Sequence, residues 1–224
     1  GDARIVVLIS GHGSNLQALI DACAKDLPAT IVAVFSNDPL AYGLKRAADA
    51  QIPTHALDHA AFSTRSAFDQ ALCQLIAPYA PTLIVLAGFM RRLGSEFVRQ
   101  FDQKIINIHP SLLPHYPGLQ THERVLAAGD RFHGVTVHVV TEALDAGPIL
   151  SQAKIALDDQ ESVESLRCRT QALEHVLYPA VIHALVSGIM SVHQGVVFFN
   201  ECPALENGVP LARLIGHIKK EKAK

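Results

Sequence analysis

The sequence has little net charge and none of the long apolar runs that mark membrane-spanning proteins. Lys and Arg total 19 against 21 Asp and Glu, which gives a formal net charge of -2 at pH 7. This balance removes the electrostatic argument for binding nucleic acid or an anionic membrane surface. No apolar run approaches the roughly 20 residues that cross a bilayer, and no charged-then-apolar signal segment opens the chain. We therefore expect a cytoplasmic protein that binds neither nucleic acid nor membrane.

Cysteine is also scarce, and neither cysteine nor histidine shows metal-ligand spacing. No C-x-x-C pair occurs among the four cysteines, which argues against a zinc ribbon or a disulfide framework: Cys23, Cys73, Cys168 and Cys202. The twelve histidines include no H-E-x-x-H motif, and no recognisable ligand spacing relates four of them, His115, His122, His133 and His138. We expect a protein of a reducing compartment that needs no metal.

Apolar runs of strand length alternate with helical periodicity through the first half of the chain. Strands are predicted at residues 4–9, 30–35, 54–57, 83–87 and 105–108, with helices between them. Such alternation indicates a parallel sheet with right-handed crossovers. The second half differs, with long antiparallel strands predicted at 135–140 and 149–157, a helix at 163–187, and a final strand or hairpin at 192–199. The predicted fold class is α/β, a mostly parallel twisted sheet with flanking helices, extended by antiparallel strands in the C-terminal half.

Glycines follow the first predicted strand and open the first helix. Residues 10–15 read Ser-Gly-His-Gly-Ser-Asn, a turn that leaves backbone N–H groups at the positive end of a helix dipole. The turn lacks the G-K-[ST] of a P-loop, and Leu16 stands where a dinucleotide-binding turn has its third glycine. A phosphate monoester therefore fits better than a pyrophosphate, and a simple tight turn is the alternative. Ser14 and Gln17 have the spacing of a capping box.

A polar pair ends the fifth predicted strand. Asn107 and His109 are two positions apart, so both side chains emerge on one face where the run stops at Pro110. Open α/β sheets bind ligands at the carboxyl ends of their strands. An amide that donates to an oxyanion, beside an imidazole that moves a proton, suits acyl-type transfer. The alternative is a pair that hydrogen-bonds neighbouring loops, as most buried polar groups do.

A turn that contains an aspartate lies between the two long predicted strands of the second half. Residues 144–148 read Leu-Asp-Ala-Gly-Pro, which places Asp145 on a Gly/Pro loop. A carboxylate there would orient an imidazole and favour its cationic form. Asp-x-Gly is also ordinary turn chemistry, so these residues alone leave both interpretations open.

Together these motifs resemble the folate-dependent phosphoribosylglycinamide formyltransferases of de novo purine synthesis. Four segments occur in the order found in that family: SGHGSNL at 10–16, LAGFMR at 86–91, NIHPSLLPHYPG at 107–118 and LDAGP at 144–148. The segment from Pro114 to His122 is closer to these enzymes than to their relatives. The resemblance extends from about residue 4 to about residue 187.

The resemblance implies a Rossmann-like half that binds glycinamide ribonucleotide, at about residues 4–110, and a folate-cleft half at about 111–200. We expect a single formyltransferase domain over 1–224, with a tail at about 201–224, as a monomer or homodimer. The implied ribonucleotide residues are Gly13, Ser14, Asn15, Gln171 and Glu174. The implied catalytic residues are Asn107, His109 and Asp145. Asn107 and Asp145 also belong to the implied 10-formyltetrahydrofolate site, together with Arg65, Met90, Arg91, Arg92, Leu93, Thr141, Glu142, Ala143 and Leu144.

The implied chemistry agrees with the one read from the residues. An amine attacks the formyl carbon, and Asn107 with protonated His109 stabilises the tetrahedral oxyanion. Asp145 holds His109, and either His109 or a water held by Asp145 carries the proton to the departing folate nitrogen. Three positions depart from the family pattern. His12 replaces an expected Asn, Arg92 an expected apolar residue, and Ala146 an expected glycine, and none of the three changes removes a chemical role.

Other functions remain as alternatives. Formyltetrahydrofolate deformylase uses the same three residue types with water as acceptor, but it normally has an extra N-terminal domain. Methionyl-tRNA formyltransferase normally adds a C-terminal barrel and a basic surface. About 35 residues after the last long helix, in a chain with no net positive charge, leave little room for either. A nicotinamide-dependent oxidoreductase is disfavoured by Leu16. A catalytically silent binding protein is disfavoured because every expected catalytic residue is present.

Overall fold

A computed structural model describes residues 2–224 and divides into two compact units. The first unit extends to Asn107, and the second comprises Ile108–Lys224. No helix among residues 2–224 combines the length and hydropathy needed to cross a membrane. The four cysteines are all free thiols.

The first unit contains five parallel strands with helices between them. The strands are β1 Ala3–Ile9, β2 Ala29–Ser36, β3 Thr54–Ala56, β4 Leu83–Leu86 and β5 Ile105–His109. The last two residues of β5, Ile108 and His109, belong to the second unit. The helices are α1 Ser14–Cys23, α2 Tyr42–Asp49, α3 Arg65–Ile76 and α4 Ser95–Gln100. Strand β1 is the central one, because it pairs in parallel with both β2 and β4, and β4 pairs in turn with β5.

The apolar runs read from the sequence form the core of this unit. Residues 5–9 of β1 are at most 1% exposed, and residues 33–35 of β2 and 84–85 of β4 are equally inaccessible. Because both faces of these strands are buried, every position along them is apolar, which explains the continuous hydrophobic runs in the sequence. All of these strands point the same way, so their polar follow-on residues, such as Ser10 after β1 and Asn37 after β2, gather at one edge.

The second unit is built around an antiparallel pair and one long helix. Its elements are α5 Thr121–Ala128, β6 Phe132–Val139, β7 Ile149–Ala156, α6 Val163–Val186, β8 Met190–His193, β9 Val196–Phe199, β10 Cys202–Pro203 and α7 Leu211–Lys222. Strands β6 and β7 pair antiparallel with an irregularity between Val137 and His138. Strands β8, β9 and β10 form a separate antiparallel sheet.

The predicted fold class is confirmed. The main sheet has seven strands in the order β3-β2-β1-β4-β5-β6-β7, and β6 and β7 supply the antiparallel extension. The segment predicted as a final strand or hairpin at 192–199 belongs to the β8–β9 hairpin. The proposed division of the chain into a single domain with two halves and a tail stays a prediction.

Two helices were not predicted, namely α5 and α7. Helix α7 lies in the segment that was expected to be a tail. Its C-terminal end is rich in lysine, but Leu214 in its first half is buried. Its C-terminal turn is held by Glu221, whose carboxylate oxygens lie 3.0 Å from His183 Nε2 on α6 and 3.0 Å from His217 Nε2 on α7. The tertiary contact with α6, absent from any local pattern, explains why this basic segment is helical.

A buried histidine and its half-buried neighbour in the second unit make stability sensitive to acid. His122 Nδ1 lies 3.0 Å from His133 Nε2, and burial lowers the pKa of His122 and lowers the pKa of His133 to about 4. The unfolded chain binds a proton at each position near pH 6.5, so between about pH 6.5 and 4 the unfolded state holds more protons. Stability should therefore fall as the pH drops through this window, by up to about 3 kcal/mol for His133.

Urea unfolding at pH 7.5 and pH 5 measures this loss. The His133→Gln variant should show a smaller difference between the two pH values than the wild type. A matched variant at the exposed His193, His193→Gln, should leave the difference unchanged. If the free energy of unfolding changes equally between the two pH values in the wild type and in His133→Gln, His133 is not the source of the acid sensitivity.

Candidate functional site

The turn after β1 has a backbone that requires glycine. Gly13 is the N-cap of α1 with φ of 80°, and a Cβ on it would lie 2.8 Å from the Gly43 Cα. Gly43 in turn donates its N–H to the Gly11 carbonyl at 3.0 Å, and a Cβ on Gly43 would overlap the Ile9 side chain. Two glycines therefore let α1 and α2 approach closely, and the first-turn N–H groups of α1 have no acceptor within the helix.

The predicted capping box is wrong. Ser14 is the first residue of α1, not its N-cap, and no side-chain cap hydrogen bond forms. Instead, Gln17 N–H donates to the Gly13 carbonyl at 2.9 Å. The left-handed conformation of Gly13 sets the start of the helix, so the Ser14 hydroxyl is not used as the cap.

The unexpected His12 is held by an arginine from α2. Arg46 Nε donates to the His12 carbonyl at 2.8 Å, and its Nη2 lies 2.8 Å from His12 Nε2. The guanidinium also lies 4.9 Å from the Tyr42 ring centre, on which the His12 ring stacks. This arrangement places a permanent positive charge beside the glycine turn, which suits an anionic ligand.

The predicted folate-binding residues of the first unit lie along α3 and in the segment after β4. Arg65 is the exposed first residue of α3. In the segment after β4, Met90 is 68% exposed, whereas Leu93 is buried. The Arg91 guanidinium lies 4.7 Å from the Phe68 ring centre, on the face of α3. Arg92, which replaces an expected apolar residue, is exposed.

Strand β5 carries both members of the predicted polar pair. Asn107 is half-buried, and His109 is 5% exposed. His109 Nε2 lies 2.8 Å from the Tyr116 carbonyl, which can only accept, so Nε2 carries the hydrogen. Ser111 supports the same turn, because its hydroxyl donates to the His115 and Tyr116 carbonyls at 2.6 and 3.2 Å. The imidazole is therefore fixed in one orientation.

Asp145 meets His109, as the two motifs suggested. Asp145 Oδ2 lies 3.7 Å from His109 Nδ1 and accepts the Gly118 N–H at 2.9 Å. Both side chains are over 90% buried. The carboxylate therefore lies on the side of the imidazole opposite the Tyr116 carbonyl, where it helps to orient the ring.

His138 is a functional candidate that the sequence reasoning did not select. Its Nε2 lies 3.9 Å from Asp145 Oδ1, and its Nδ1 lies 3.2 Å from the Val139 carbonyl. Burial lowers the pKa of His138, so the ring is neutral near pH 7. Asp145 thus lies between two imidazoles. The available signal was a histidine one position before the end of the apolar strand β6.

The loop that carries Asp145 has a constrained backbone. Asp145 itself has φ of 49°, a left-handed conformation that Asp adopts more readily than most residues. Of its predicted folate-binding neighbours, Thr141 is half-buried, whereas Glu142, Ala143 and Leu144 are exposed. Ala146, in place of an expected glycine, is also exposed. Gly147 packs so closely on the Val139 carbonyl that an added Cβ would overlap the oxygen.

Replacing Gly147 with alanine should therefore displace the Asp145 carboxylate. We expect Gly147→Ala to lower kcat at least tenfold and to reduce the free energy of unfolding by about 1–3 kcal/mol, because the clash involves backbone atoms. Steady-state kinetics and urea unfolding measure the two effects. Gly216→Ala is the matched control, since an added Cβ there meets nothing within 4 Å. Wild-type values for both quantities in Gly147→Ala would refute the constraint.

The two predicted binding residues on α6 differ in burial. Gln171 is exposed, whereas Glu174 is 8% exposed although it lies in mid-helix, where a glutamate is normally solvated. Burial raises the pKa of the Tyr178 hydroxyl, and the nearby Glu174 charge raises it further.

Among the side chains of residues 2–224, no three His, Cys, Asp or Glu are grouped so as to hold a metal ion. Of the predicted catalytic residues, His109 and Asp145 meet within the second unit. Asn107 is the last residue of the first unit.

Comparison with known proteins gives one consistent family. The formyl transferase family matches residues 3–182. Phosphoribosylglycinamide formyltransferase of Escherichia coli (strain K12) is 48% identical over 198 residues, which are 88% of this chain and 93% of that protein. The enzyme of the same name from Haemophilus influenzae is 44% identical over the same shares.

Solved structures agree with the sequence relatives. A phosphoribosylglycinamide formyltransferase from Coxiella burnetii superposes with a TM-score of 0.90 at 50% identity, covering 94% of this chain and 99% of its own. Glycinamide ribonucleotide transformylase 1 from Symbiobacterium toebii gives a TM-score of 0.85 at 40% identity, covering 88% and 94%.

Proposed function

The chain belongs to the formyl transferase family, and within it to the phosphoribosylglycinamide formyltransferases, and from this premise we propose that it formylates glycinamide ribonucleotide. The formyl donor is 10-formyltetrahydrofolate, and the products are formylglycinamide ribonucleotide and tetrahydrofolate, in de novo purine biosynthesis. The observation that supports this most directly is the buried pairing of His109 with Asp145 at 3.7 Å. The free thiols of the cysteines agree with a cytoplasmic location.

In the proposed reaction the substrate amine attacks the formyl carbon, and the bond from that carbon to folate N10 breaks. Negative charge develops on the formyl oxygen. Protonated His109 donates Nε2–H to this oxyanion in place of the Tyr116 carbonyl, and Asn107 donates its amide N–H. Asp145 stabilises the imidazolium through Nδ1. His109 gives its Nε2 proton to the departing N10 and then takes up the amine proton in its place, or a water held by Asp145 carries the amine proton to N10.

The binding roles are proposed from the resemblance, supported by local geometry. Gly13, Ser14 and Asn15 hold the ribonucleotide phosphate at the N-terminus of α1, where the positive end of the helix dipole and the Arg46 charge favour an anion. Gln171 and Glu174 hold the glycinamide end.

The resemblance assigns the folate to two groups of residues. The first group is Arg65, Met90, Arg91, Arg92, Leu93 and Asn107, and the second is Thr141, Glu142, Ala143, Leu144 and Asp145. No metal takes part, because oxyanion stabilisation and proton transfer supply the chemistry.

The test is formyl release from 10-formyltetrahydrofolate, followed by absorbance with and without glycinamide ribonucleotide. Release that depends on the ribonucleotide, together with formylated product, is the expected result. Equal release without the ribonucleotide would instead indicate a deformylase. No release under either condition would overturn the proposed function.

A further inference from the structure

A hydroxyl at the end of β1 joins two segments that the proposed function gives to different substrates. Met90 N–H donates to Ser10 Oγ at 2.8 Å, and Ser10 Oγ donates to Asn37 Oδ1 at 2.6 Å. Ser10 opens the turn that leads to the phosphate residues, and Met90 opens the folate segment after β4. The three groups follow three neighbouring parallel strands, β1, β2 and β4.

This contact has a fixed direction and a rigid support. A serine hydroxyl has one hydrogen, and here Asn37 accepts it, so the lone pairs of Ser10 remain for the Met90 N–H. Asn37 is 6% exposed, and its backbone carbonyl accepts the His59 N–H at 3.3 Å. The Met90 backbone is therefore tied through Ser10 to a buried amide.

We propose that Ser10 is a positioning residue that couples ribonucleotide binding at the phosphate turn to folate binding at residues 90–93. The inference rests on the proposed function, which assigns the two substrates to these two segments. Ribonucleotide binding at the phosphate turn acts on the backbone that Ser10 begins, and the Ser10 hydroxyl passes the change to the Met90 N–H and the backbone that follows it. Each substrate thus strengthens the binding of the other, since such coupling is reciprocal.

Binding of tetrahydrofolate with and without glycinamide ribonucleotide measures the coupling without turnover, because tetrahydrofolate carries no formyl group. In the wild type, saturating ribonucleotide should lower the Kd for tetrahydrofolate at least fivefold. In Ser10→Ala this ratio should fall to about one, and the KM values of both substrates should rise more than kcat falls. Ser10→Thr keeps the hydroxyl and should restore the coupling.

Thr82→Val is the matched control. Thr82 Oγ1 accepts the Arg4 N–H at 3.2 Å, so it joins the same strands, β1 and β4, at their opposite ends. Its removal should leave the coupling ratio at the wild-type value. If Ser10→Ala is too unstable to assay, Ser10→Cys keeps the volume with a weaker hydrogen bond, and its ratio must also fall.

The outcomes separate this inference from the proposed function. A wild-type protein that fails to formylate glycinamide ribonucleotide refutes the proposed function. A wild-type protein that formylates it but shows no coupling, or a Ser10→Ala variant that keeps the wild-type ratio, overturns the positioning role alone.

Discussion

The Asp145→Asn variant should fold normally and lose about 10²–10⁴-fold in kcat. Asparagine has nearly the same shape as aspartate and tolerates the left-handed conformation that φ of 49° imposes. Its amide oxygen can still accept the Gly118 N–H that now donates to Oδ2. Only the negative charge is removed, so the protonated state of His109 loses its stabilising partner.

Single-turnover and steady-state rates with both substrates measure this loss, and urea unfolding checks the fold. Asp158→Asn is the matched control, because that carboxylate is 74% exposed and pairs with Arg169 at 3.5 Å, within the same unit. The control should stay within about twofold of the wild type, as expected for a surface ion pair. If Asp145→Asn also stays within threefold, the carboxylate has no catalytic role.

The sequence predicted the placement of the polar pair on β5 better than the contacts around it. Asn107 and His109 were found because a two-residue spacing at a strand end has one geometric meaning, and β5 does end at His109. The meeting of His109 with Asp145 depends on a separate motif 36 positions later in the sequence, which only the family resemblance connected to the strand. Hydrophobic periodicity indicates which residues of one helix or strand share a face, but it gives no distance between two elements.

The residues that were missed share a tertiary origin. His138 approaches Asp145 only because the β6–β7 connection folds back over the end of β6, and nothing in a single strand indicates this. Helix α7 depends on the Glu221 contact with His183 on α6. The start of α1 was misassigned because the close approach of Gly13 to Gly43 belongs to the packing of two helices. Local propensity is a weak guide wherever such packing decides the backbone.

The His109→Ala variant should lose about 10³-fold or more in kcat, because it removes both an oxyanion donor and a route for the proton. His115→Ala, an exposed histidine in the following turn, is the matched control and should retain nearly full activity. If His109→Ala keeps more than a tenth of the wild-type kcat, the imidazole has no direct role in the reaction.

The double variant His109→Ala, Asp145→Asn decides how the two residues share that loss. Asp145 Oδ2 faces His109 Nδ1, so the carboxylate acts through the imidazole and has nothing to stabilise once the ring is gone. The double variant should then be no more than about threefold slower than His109→Ala, since residues that act as a unit are not additive. Losses that multiply would instead mean that Asp145 works independently, through a held water or through His138, whose Nε2 lies 3.9 Å from Oδ1. Adding His138→Gln to the His109→Ala background separates these two routes, because only the second route requires that ring.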